Sequence, residues 1–498
     1  MSLHQLYLAM LIGGLVLLFS IVGTRVATRV GFPALLFFLL VGVVLGEDIL
    51  GLDFDNAELA RNVGTAALGV ILVEGGLTTK FSDIRAMLAP AAVLATVGVV
   101  VSTVITAVGA HILLGMDWQL SLLLGAIVSS TDAAAVFSVL RLIPLPRRVA
   151  GLLEAESGFN DAPAVILVLT FSVVPFVFEP ESAVAVIGYE LVAGAVIGLA
   201  CGFVGALLIR RVALPASGLY PIAIFGLAIV AFAAAGTAHA SGFLAAYLAA
   251  VVLANSGLPH RSATRSFAEG LGWLAQIGLF VILGLLVNPS GLAADIVPAV
   301  IIGFVLLFIA RPVSVVVSLI GFRIPWTEQF FLSCAGLRGA VPIVLTTFPI
   351  VAGVPDSYRL LNIVFVLVVV FTLIQGPSLR PVAQRLGLIS RVSTREIQVE
   401  AAPLDVLDAE LLTTTVQADS RLHNVTVLEL RLPDPSVITL IIRDGHTFVP
   451  LPDTRIETGD ELMIVTTSRT RAAAERRLRA VSRRGKLAYW FDEYGETD

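Results

Sequence analysis

Long apolar segments alternate with short polar ones along the chain up to Arg380. A hydropathy window of about 19 residues, the length of a membrane-spanning helix, predicts thirteen spans in this part. The fold class predicted is therefore an all-α polytopic membrane protein. The predicted spans are 5–24, 33–46, 62–77, 88–114, 119–140, 150–175, 184–209, 217–237, 240–255, 267–287, 294–320, 327–350 and 359–379.

Basic residues in the connecting loops give an independent test of this division. Cytoplasmic loops of membrane proteins carry an excess of Lys and Arg. If the N-terminus lies outside, the external loops hold only two basic residues, Arg61 and Arg359. The alternation favours thirteen spans in the cytoplasmic membrane with the C-terminus inside. The basic residues then assigned to the cytoplasmic side are Arg25, Arg29, Lys80, Arg85, Arg141, Arg147, Arg148, Arg210, Arg211, Arg261, Arg265 and Arg323.

Two of the spans contain residues that interrupt a helix. One break is Gly-rich and ends in proline, from Gly336 to Pro342, and a gentler one lies around Ser129 to Asp132. Unwound backbone at membrane depth is tolerated only where it is buried in protein or lines a cavity. Two broken helices in corresponding halves are typical of inverted-repeat transporters, whose binding site lies where the breaks cross. We therefore predict inverted repeats with crossing broken helices.

The character of the chain changes after Arg380. Alternating β-branched segments predict strands at Leu411–Val416, Val437–Arg443 and Glu461–Thr466, with an Arg- and Ala-rich helix over 468–482. This pattern predicts a small α/β domain on the cytoplasmic side. The domain boundaries expected are 1–385 for the membrane domain, 386–400 for a linker, 401–485 for the C-terminal domain and 486–498 for a tail.

Composition supports the membrane assignment and argues against a soluble protein. The chain is 57% hydrophobic and 14% charged, with a mean hydropathy of +0.94, whereas a soluble domain is about a quarter charged. Cys201 and Cys334 lie in apolar spans and imply no disulfide or metal framework. No Gly-x-Gly-x-x-Gly follows a strand in the tail, so NAD binding is not expected. We predict a transporter without a resident cofactor and without a nucleic-acid partner, not an enzyme.

Three carboxylates lie inside the predicted spans, where a charged group costs at least about 2.5 kcal/mol and is by default functional. They are Asp132, Glu156 and Asp161, and hydroxyl and amide oxygens accompany them at Thr131, Ser157 and Asn160. Loss of water raises the pKa of a buried carboxylate, and a nearby cation lowers it again. Such a group releases its proton when a cation arrives. The pattern therefore predicts one site shared by a small cation and a proton.

Individual roles follow from the neighbours of each group. Asp161 is the predicted exchanging carboxylate, and Thr131 the predicted cation ligand through its hydroxyl or carbonyl. Asp132 is either a ligand or a polar cap at the end of a half-helix. Arg311 is mid-span and most economically pairs with Glu156, and Arg338 is expected to neutralise carbonyl ends of half-helices. Asn160 beside Asp161 leaves one ionisable group in that pair, which favours electroneutral exchange.

Together these motifs resemble the NhaP-type monovalent cation:proton antiporters, over about residues 5–385. The resemblance rests on Ser-Thr-Asp-Ala from Ser130, Glu-Ser-x-x-Asn-Asp from Glu156, a mid-span Arg311 and Gly-Leu-Arg-Gly-Ala from Gly336. It implies a thirteen-helix homodimer in the lipid bilayer, with a dimerisation domain and a mobile core that moves as an elevator. It also implies that Asp161 binds the cation and the proton, that Thr131, Ser157 and Glu156 complete the site, and that Asn160 and Arg311 organise it.

The C-terminal domain resembles a TrkA-C (RCK C-terminal) domain, through the strand pattern from Thr458 to Val465. An antiporter with this domain resembles the potassium/proton branch, so K⁺ is the expected ion and Na⁺ the alternative. A gated potassium efflux channel and an ion-sensing receptor remain competing classes, although no Thr-Val-Gly-Tyr-Gly filter is present. The domain either binds a small anionic, nucleotide-like ligand near Arg443 and Arg455 or only stabilises a dimer.

Overall fold

The computed structural model describes residues 3–30, 33–52, 54–132, 143, 145–176, 180–212, 214–389, 409–417, 420–467 and 469–484. The chain divides into two compact units, Met1–Val392 and Ser393–Asp498. The described part of the first unit is helical. The second contains a four-stranded sheet.

Eighteen α-helices make up the described part of the first unit. Seven continuous helical stretches there are long and apolar enough to cross a membrane, and four further apolar helices are shorter. The α-helices are α1 (Leu3–Val30), α2 (Ala34–Leu45), α3 (Ala57–Thr78), α4 (Phe81–Ile84), α5 (Leu88–Val93), α6 (Val99–Leu114), α7 (Trp118–Ser129), α8 (Arg147–Phe159), α9 (Asp161–Phe171), α10 (Pro180–Arg211), α11 (Leu219–Thr237), α12 (Gly242–Asn255), α13 (Arg261–Leu285), α14 (Ile296–Val305), α15 (Arg311–Leu319), α16 (Trp326–Cys334), α17 (Ala340–Val351) and α18 (Ser357–Arg385).

Each of the thirteen predicted spans coincides with one of these helices or with a consecutive group of them. The fifth predicted span, 119–140, extends past Asp132 into residues outside the described part. Several predicted spans consist of short helices joined end to end. The length and composition of such short helices do not by themselves identify them as membrane crossings. The mostly helical membrane fold is confirmed, whereas the number of thirteen crossings stays a prediction.

Both predicted helix breaks are present. Helix α7 ends at Ser129 and extended backbone follows, while α16 ends at Cys334 and α17 begins only at Ala340. The two extended segments meet, because the backbone N–H of Asp132 donates to the carbonyl of Leu337 at 3.0 Å. A third interruption, at Asn160 between α8 and α9, was not predicted.

Two π-helical segments occur in helices that contact each other. Leu94–Gly98 separates α5 from α6, and Leu306–Ala310 separates α14 from α15. Such segments are rare and are frequent at functional sites. In each half of the chain, a helix with a π segment is followed by an interrupted helix. This repeated order supports the internal repeat that the placement of the breaks predicted.

Small residues allow several helices to approach closely. On α10, Gly194 and Gly198 face the backbone of α12: a Cβ on Gly198 would lie 2.6 Å from the carbonyl oxygen of Ala245. Helices α2 and α13 cross in the same way through Gly42 and Gly284. Within a membrane, packing at small residues is a principal source of helix association.

The second unit contains β1 (Ala409–Thr415), α19 (Val427–Leu430), β2 (Val437–Arg443), β3 (His446–Phe448), β4 (Glu461–Thr467) and α20 (Arg471–Arg484). The strands form an antiparallel sheet in the order β1-β4-β2-β3. The three predicted strands are present, and the predicted helix begins and ends slightly later. A short fourth strand, β3, was missed. It follows Asp444 and Gly445, whose φ angles of 48° and 78° suit a two-residue hairpin turn.

Candidate functional site

The extended segment after α7 lies against the junction of α8 and α9. The hydroxyl of Ser130 donates to Oδ1 of Asp161 at 2.7 Å, and both side chains are buried. Asp161 is the first residue of α9. A carboxylate at a helix N-terminus is favoured by the helix dipole and by free backbone N–H groups. The break in α7 thus brings polar groups to the buried carboxylate that the sequence singled out.

Three more polar side chains form a hydrogen-bonded group beside this contact. The Nδ2 of Asn160 donates to Oγ1 of Thr131 at 2.5 Å, and this hydroxyl lies 3.1 Å from Oγ of Ser157. All three side chains are buried. The Oδ1 of Asn160 is also buried and has no hydrogen-bond partner within the described residues. Hard oxygen atoms of this kind are the ligands that alkali cations take in proteins.

Asp132 joins the two broken helices. Its Oδ2 accepts the backbone N–H of Ala340, the first residue of α17, at 2.8 Å. Gly339, the residue before Ala340, must lack a side chain, because a Cβ there would lie 1.8 Å from Oδ2 of Asp132. The cap that the sequence offered as one alternative for Asp132 is therefore present. A direct contact of Asp132 with the cation stays a prediction.

Arg311 and Glu156 form a bidentate ion pair in the interior. The Nη1 of Arg311 lies 2.5 Å from Oε1 of Glu156, and Nη2 lies 2.9 Å from Oε2. Both side chains are at most 6% exposed. The pairing that the sequence predicted is present. Both oxygens of Glu156 are engaged in this pair. Coordination of the cation by Glu156 stays a prediction.

Arg338 contacts backbone carbonyls of both broken segments. Its Nε donates to the carbonyl of Val128 at 2.7 Å, and its Nη1 donates to that of Gly336 at 2.8 Å. Val128 lies in the last turn of α7, where carbonyls lack helical partners. A buried guanidinium there balances the negative ends of half-helices. This geometry agrees with the role that the sequence gave Arg338.

Asp132 and Asp161 line a narrow crevice. The opposite wall is apolar and consists of Leu68 and Leu72 on α3 and Phe280 on α13. The carboxylates therefore lie at the boundary between the broken helices and a second group of helices. A space this narrow, with oxygen atoms on one side, suits a small ion better than an organic substrate.

Ser130 is the residue of the site that sequence reasoning missed. It stands in the motif already quoted, next to Ser129, whose hydroxyl bonds the carbonyl of Ala126 within its own helix. Which of two adjacent serines reaches Asp161 depends on where the helix ends. That end is known to about one or two residues at best from sequence.

The C-terminal domain holds a second charged cluster. Nε and Nη2 of Arg443 each lie 2.8 Å from a different oxygen of Asp460, and Nη1 lies 2.5 Å from Glu457. Four of the five N–H donors of Arg443 bond within the domain. The ligand pocket near Arg443 and Arg455 stays a prediction. Burial alone would raise the pKa of Asp460. Its hydrogen bonds with Arg443 and the backbone of Glu457 outweigh burial and hold that pKa below its usual value.

Crossing broken helices with a buried carboxylate and hydroxyls define a secondary transporter of small cations. The family model described as sodium/hydrogen exchanger, transmembrane, matches residues 15–385, and the TrkA-C domain model matches residues 411–479. The chain belongs to the sodium/hydrogen exchanger family, and is a multi-pass membrane transporter of the NhaP cation:proton antiporter type. The resemblance predicted from its motifs is confirmed, including the C-terminal domain.

Several named proteins are similar to this chain over most of its length. The K(+)/H(+) antiporter NhaP of Alkalimonas amylolytica is 38% identical over 473 residues, 93% of this chain and 82% of that protein. The K(+)/H(+) antiporter NhaP2 of Shewanella baltica is 34% identical over 463 residues, 91% of this chain and 80% of that protein. The Na(+)/H(+) antiporter NhaS2 of Synechocystis is 28% identical over 401 residues, 78% of this chain and 72% of that protein.

Among solved structures, the sodium proton antiporter MjNhaP1 from Methanocaldococcus jannaschii at pH 8 has a similar fold. The TM-score is 0.66 at 21% sequence identity, and the match covers 76% of this chain and 99% of that one. At this identity the likeness supports the fold alone, and it agrees with the helical architecture described above.

Proposed function

We propose that this protein exchanges K⁺ for protons across the cytoplasmic membrane, with Na⁺ as the alternative ion. The observation that carries the proposal is Asp161, a buried carboxylate that lines a narrow cavity beside the hydroxyls of Thr131 and Ser157. The names of two similar proteins, both K(+)/H(+) antiporters, favour K⁺. K⁺ and Na⁺ take the same oxygen ligands, so the choice between them rests on these relatives.

The exchange step uses one carboxylate in two states. A proton neutralises Asp161 when the site holds no cation, because an isolated buried charge is costly. An entering cation displaces the proton and is held by Asp161 together with the hydroxyls of Thr131 and Ser157. The amide of Asn160 holds Thr131 in place through its Nδ2. Its buried Oδ1 offers one further oxygen at the site.

Charge counting supports electroneutral exchange. Asp132, Glu156 and Asp161 carry three negative charges when ionised, and Arg311 and Arg338 carry two positive ones. A single proton or a single monovalent cation at Asp161 therefore brings these five groups to zero net charge. The two loaded states have the same charge, so a membrane potential does no work on the moving core.

Alternating access by an elevator motion is the mechanism that this arrangement favours. The cavity separates Asp132 and Asp161, on the broken helices, from Leu68 and Leu72 on α3 and Phe280 on α13. An apolar wall without hydrogen bonds to the site is one along which a core domain can slide. We assign the wall helices to a dimerisation domain embedded in lipid, with the N-terminus outside and the C-terminal domain in the cytoplasm as a regulator.

Replacing Asp161 by Asn tests the proposal directly. The amide is nearly isosteric but carries no exchangeable charge, so a pH gradient should drive no cation flux in proteoliposomes containing the folded variant. Asp117→Asn is the matched control, because Asp117 only caps α7 through a bond that Asn also makes. Flux at the wild-type rate in Asp161→Asn would refute the assignment.

Flux measurements in the same vesicles distinguish an antiporter from a channel and show which cation is transported. Flux of K⁺, Na⁺ and Li⁺ in fixed proportion to an imposed pH gradient is expected of an antiporter. An imposed membrane potential should leave the rate unchanged. Flux that follows voltage without a pH gradient would identify a channel, and voltage-accelerated exchange would mean that Asp132 or Glu156 also cycles a proton.

A further inference from the structure

Ser130 makes a contact with Asp161 that the proposed exchange step does not yet use. Its hydroxyl donates to Oδ1 at 2.7 Å, and the Ser130 side chain has no exposed surface. Within the described residues, no other side chain or backbone group donates to Asp161. The two oxygens of this carboxylate therefore differ: Oδ1 has a fixed partner, and Oδ2 has none in that part of the chain.

A hydroxyl donor is suited to both states of the carboxyl group. When Asp161 is ionised, Oδ1 accepts the Ser130 hydrogen with the added strength of a charged acceptor. When the proton resides on Oδ2, Oδ1 becomes the carbonyl oxygen and still accepts the same hydrogen. The contact can persist through the whole exchange, and it holds the plane of the carboxyl group in one orientation.

This constraint restricts where exchange takes place. An unconstrained carboxyl group rotates about its last side-chain bond and presents either oxygen to the cavity. With Oδ1 held by Ser130, a cation or a proton meets Oδ2. Competition between the two then takes place at one atom, which makes simultaneous binding of both unfavourable.

We propose that Ser130 is a positioning residue that fixes Asp161 so that the cation and the proton compete for its Oδ2. This inference rests on the proposed function of Asp161. The alternative is that the bond only satisfies two buried polar groups. The neighbouring Ser129 represents that alternative, because its hydroxyl is also buried and, among the described residues, bonds only the carbonyl of Ala126 at 2.7 Å.

The test compares cation KM and kcat in proteoliposomes for Ser130→Ala, Ser130→Thr and Ser129→Ala. Loss of a hydrogen bond to a charged group should raise the cation KM of Ser130→Ala by about 10- to 150-fold, with a much smaller change in kcat. Ser130→Thr retains a hydroxyl and should restore most of the affinity. Ser129→Ala should keep the wild-type KM.

A graded variant covers the case in which Ser130→Ala does not fold. Ser130→Cys keeps the size of serine but donates weakly, so its KM should lie between those of Ser130→Thr and Ser130→Ala. A wild-type KM in Ser130→Cys or Ser130→Ala would overturn the inference, as would an equal rise in Ser129→Ala. Asp161→Asn, measured alongside, separates the two proposals. If Asp161→Asn still transports cations, the assignment of Asp161 as the exchanging carboxylate is wrong. If Asp161→Asn is inactive and Ser130→Ala has a wild-type KM, only the positioning role of Ser130 is wrong.

Discussion

At the scale of single residues, the interior is organised by charges that meet across long stretches of chain. Arg311 and Glu156 are 155 positions apart and form a bidentate contact. A buried ion pair adds little over an apolar pair of the same shape. Removal of one partner is costly, because the other charge is left buried and uncompensated.

Arg311→Ala should therefore destabilise the protein by about 3–5 kcal/mol as well as impair transport. Thermal unfolding of the purified variant in detergent measures the loss. Adding Glu156→Gln should recover part of it, because the double variant no longer carries an unpaired charge. Arg265→Ala is the control: its pair with Glu269 is exposed, and such pairs contribute at most about 1 kcal/mol. Equal melting of Arg311→Ala and wild type would contradict the account.

These residues also mark how far a site can be predicted from sequence. Asp161, Glu156 and Arg311 were predictable because a charge within an apolar run is visible in the hydropathy pattern itself. Ser130 was not, because Ser129 and Ser130 look alike until the end of α7 is known. The role of Glu156 as a cation ligand stays a prediction, because only the geometry reveals that Arg311 contacts both of its oxygens.

At the scale of helices, close approach depends on glycine at particular contacts. Gly198 faces the backbone of α12, where a Cβ would lie 2.6 Å from the carbonyl oxygen of Ala245. Gly188 lies on the same helix with no atom within 4 Å of its Cβ position. Gly198 is therefore tightly packed and Gly188 is not, although both lie on α10.

Gly198→Ala should lower the thermal stability of the protein, since α10 must move away from α12 to admit the methyl group. Gly188→Ala should be neutral or stabilise by about 0.5–1 kcal/mol, because alanine loses less backbone entropy in a helix. Melting curves of the two variants provide the comparison. The packing argument fails if Gly198→Ala is as stable as Gly188→Ala.

The strands of the C-terminal domain depend on a charged contact at the start of β4. Asp460 is buried and accepts hydrogen bonds from Arg443 and from the N–H of Glu457. Its pKa lies below the ordinary 3.8 because these contacts outweigh burial. Its stabilising contribution is therefore present above pH 3.8 and is lost as the pH falls through the lower value of the folded state.

Asp460→Asn should accordingly weaken β2 and β4 by about 1.5–3 kcal/mol at neutral pH. Hydrogen–deuterium exchange of these strands in the whole chain, corrected for the intrinsic rate, measures this effect. The difference from wild type should shrink only below pH 3.8, as the pH falls through the lowered pKa of Asp460 in the folded state. Asp453→Asn, at an exposed position nearby, should change neither strand. A difference that persists unchanged in acid would exclude the ion pair as its cause.

Elements were predictable where glycine, proline or a change of period marked them. The break at Gly336 follows from such residues, as do three of the four strands, whereas the break before Asp132 was marked by the polar run Ser129–Asp132. The junction at Asn160 and the π segments were missed, because neither has a sequence signature of its own. The second π segment, Leu306–Ala310, ends directly before the buried Arg311.

At the scale of the whole molecule, the chain combines a transport unit with a separate α/β unit. The two have independent hydrophobic cores, and the buried carboxylates Asp132, Glu156 and Asp161 all belong to the first. A unit without an intramembrane polar group is expected to modulate transport rather than to carry it out. The TrkA-C match over residues 411–479 supports this division.

Ending the chain after Arg391 should therefore leave cation:proton exchange intact, with an altered pH dependence or cation affinity. The physical reason is that every group assigned to the exchange step lies before that point. Flux in proteoliposomes, measured over a pH series for the shortened and full-length proteins, checks this expectation. A chain ended after Gly485, which loses only the tail, is the control and should behave as wild type. If the shortened protein is folded and dimeric yet transports nothing, the C-terminal unit is part of the transport machinery itself, and the regulatory assignment is wrong.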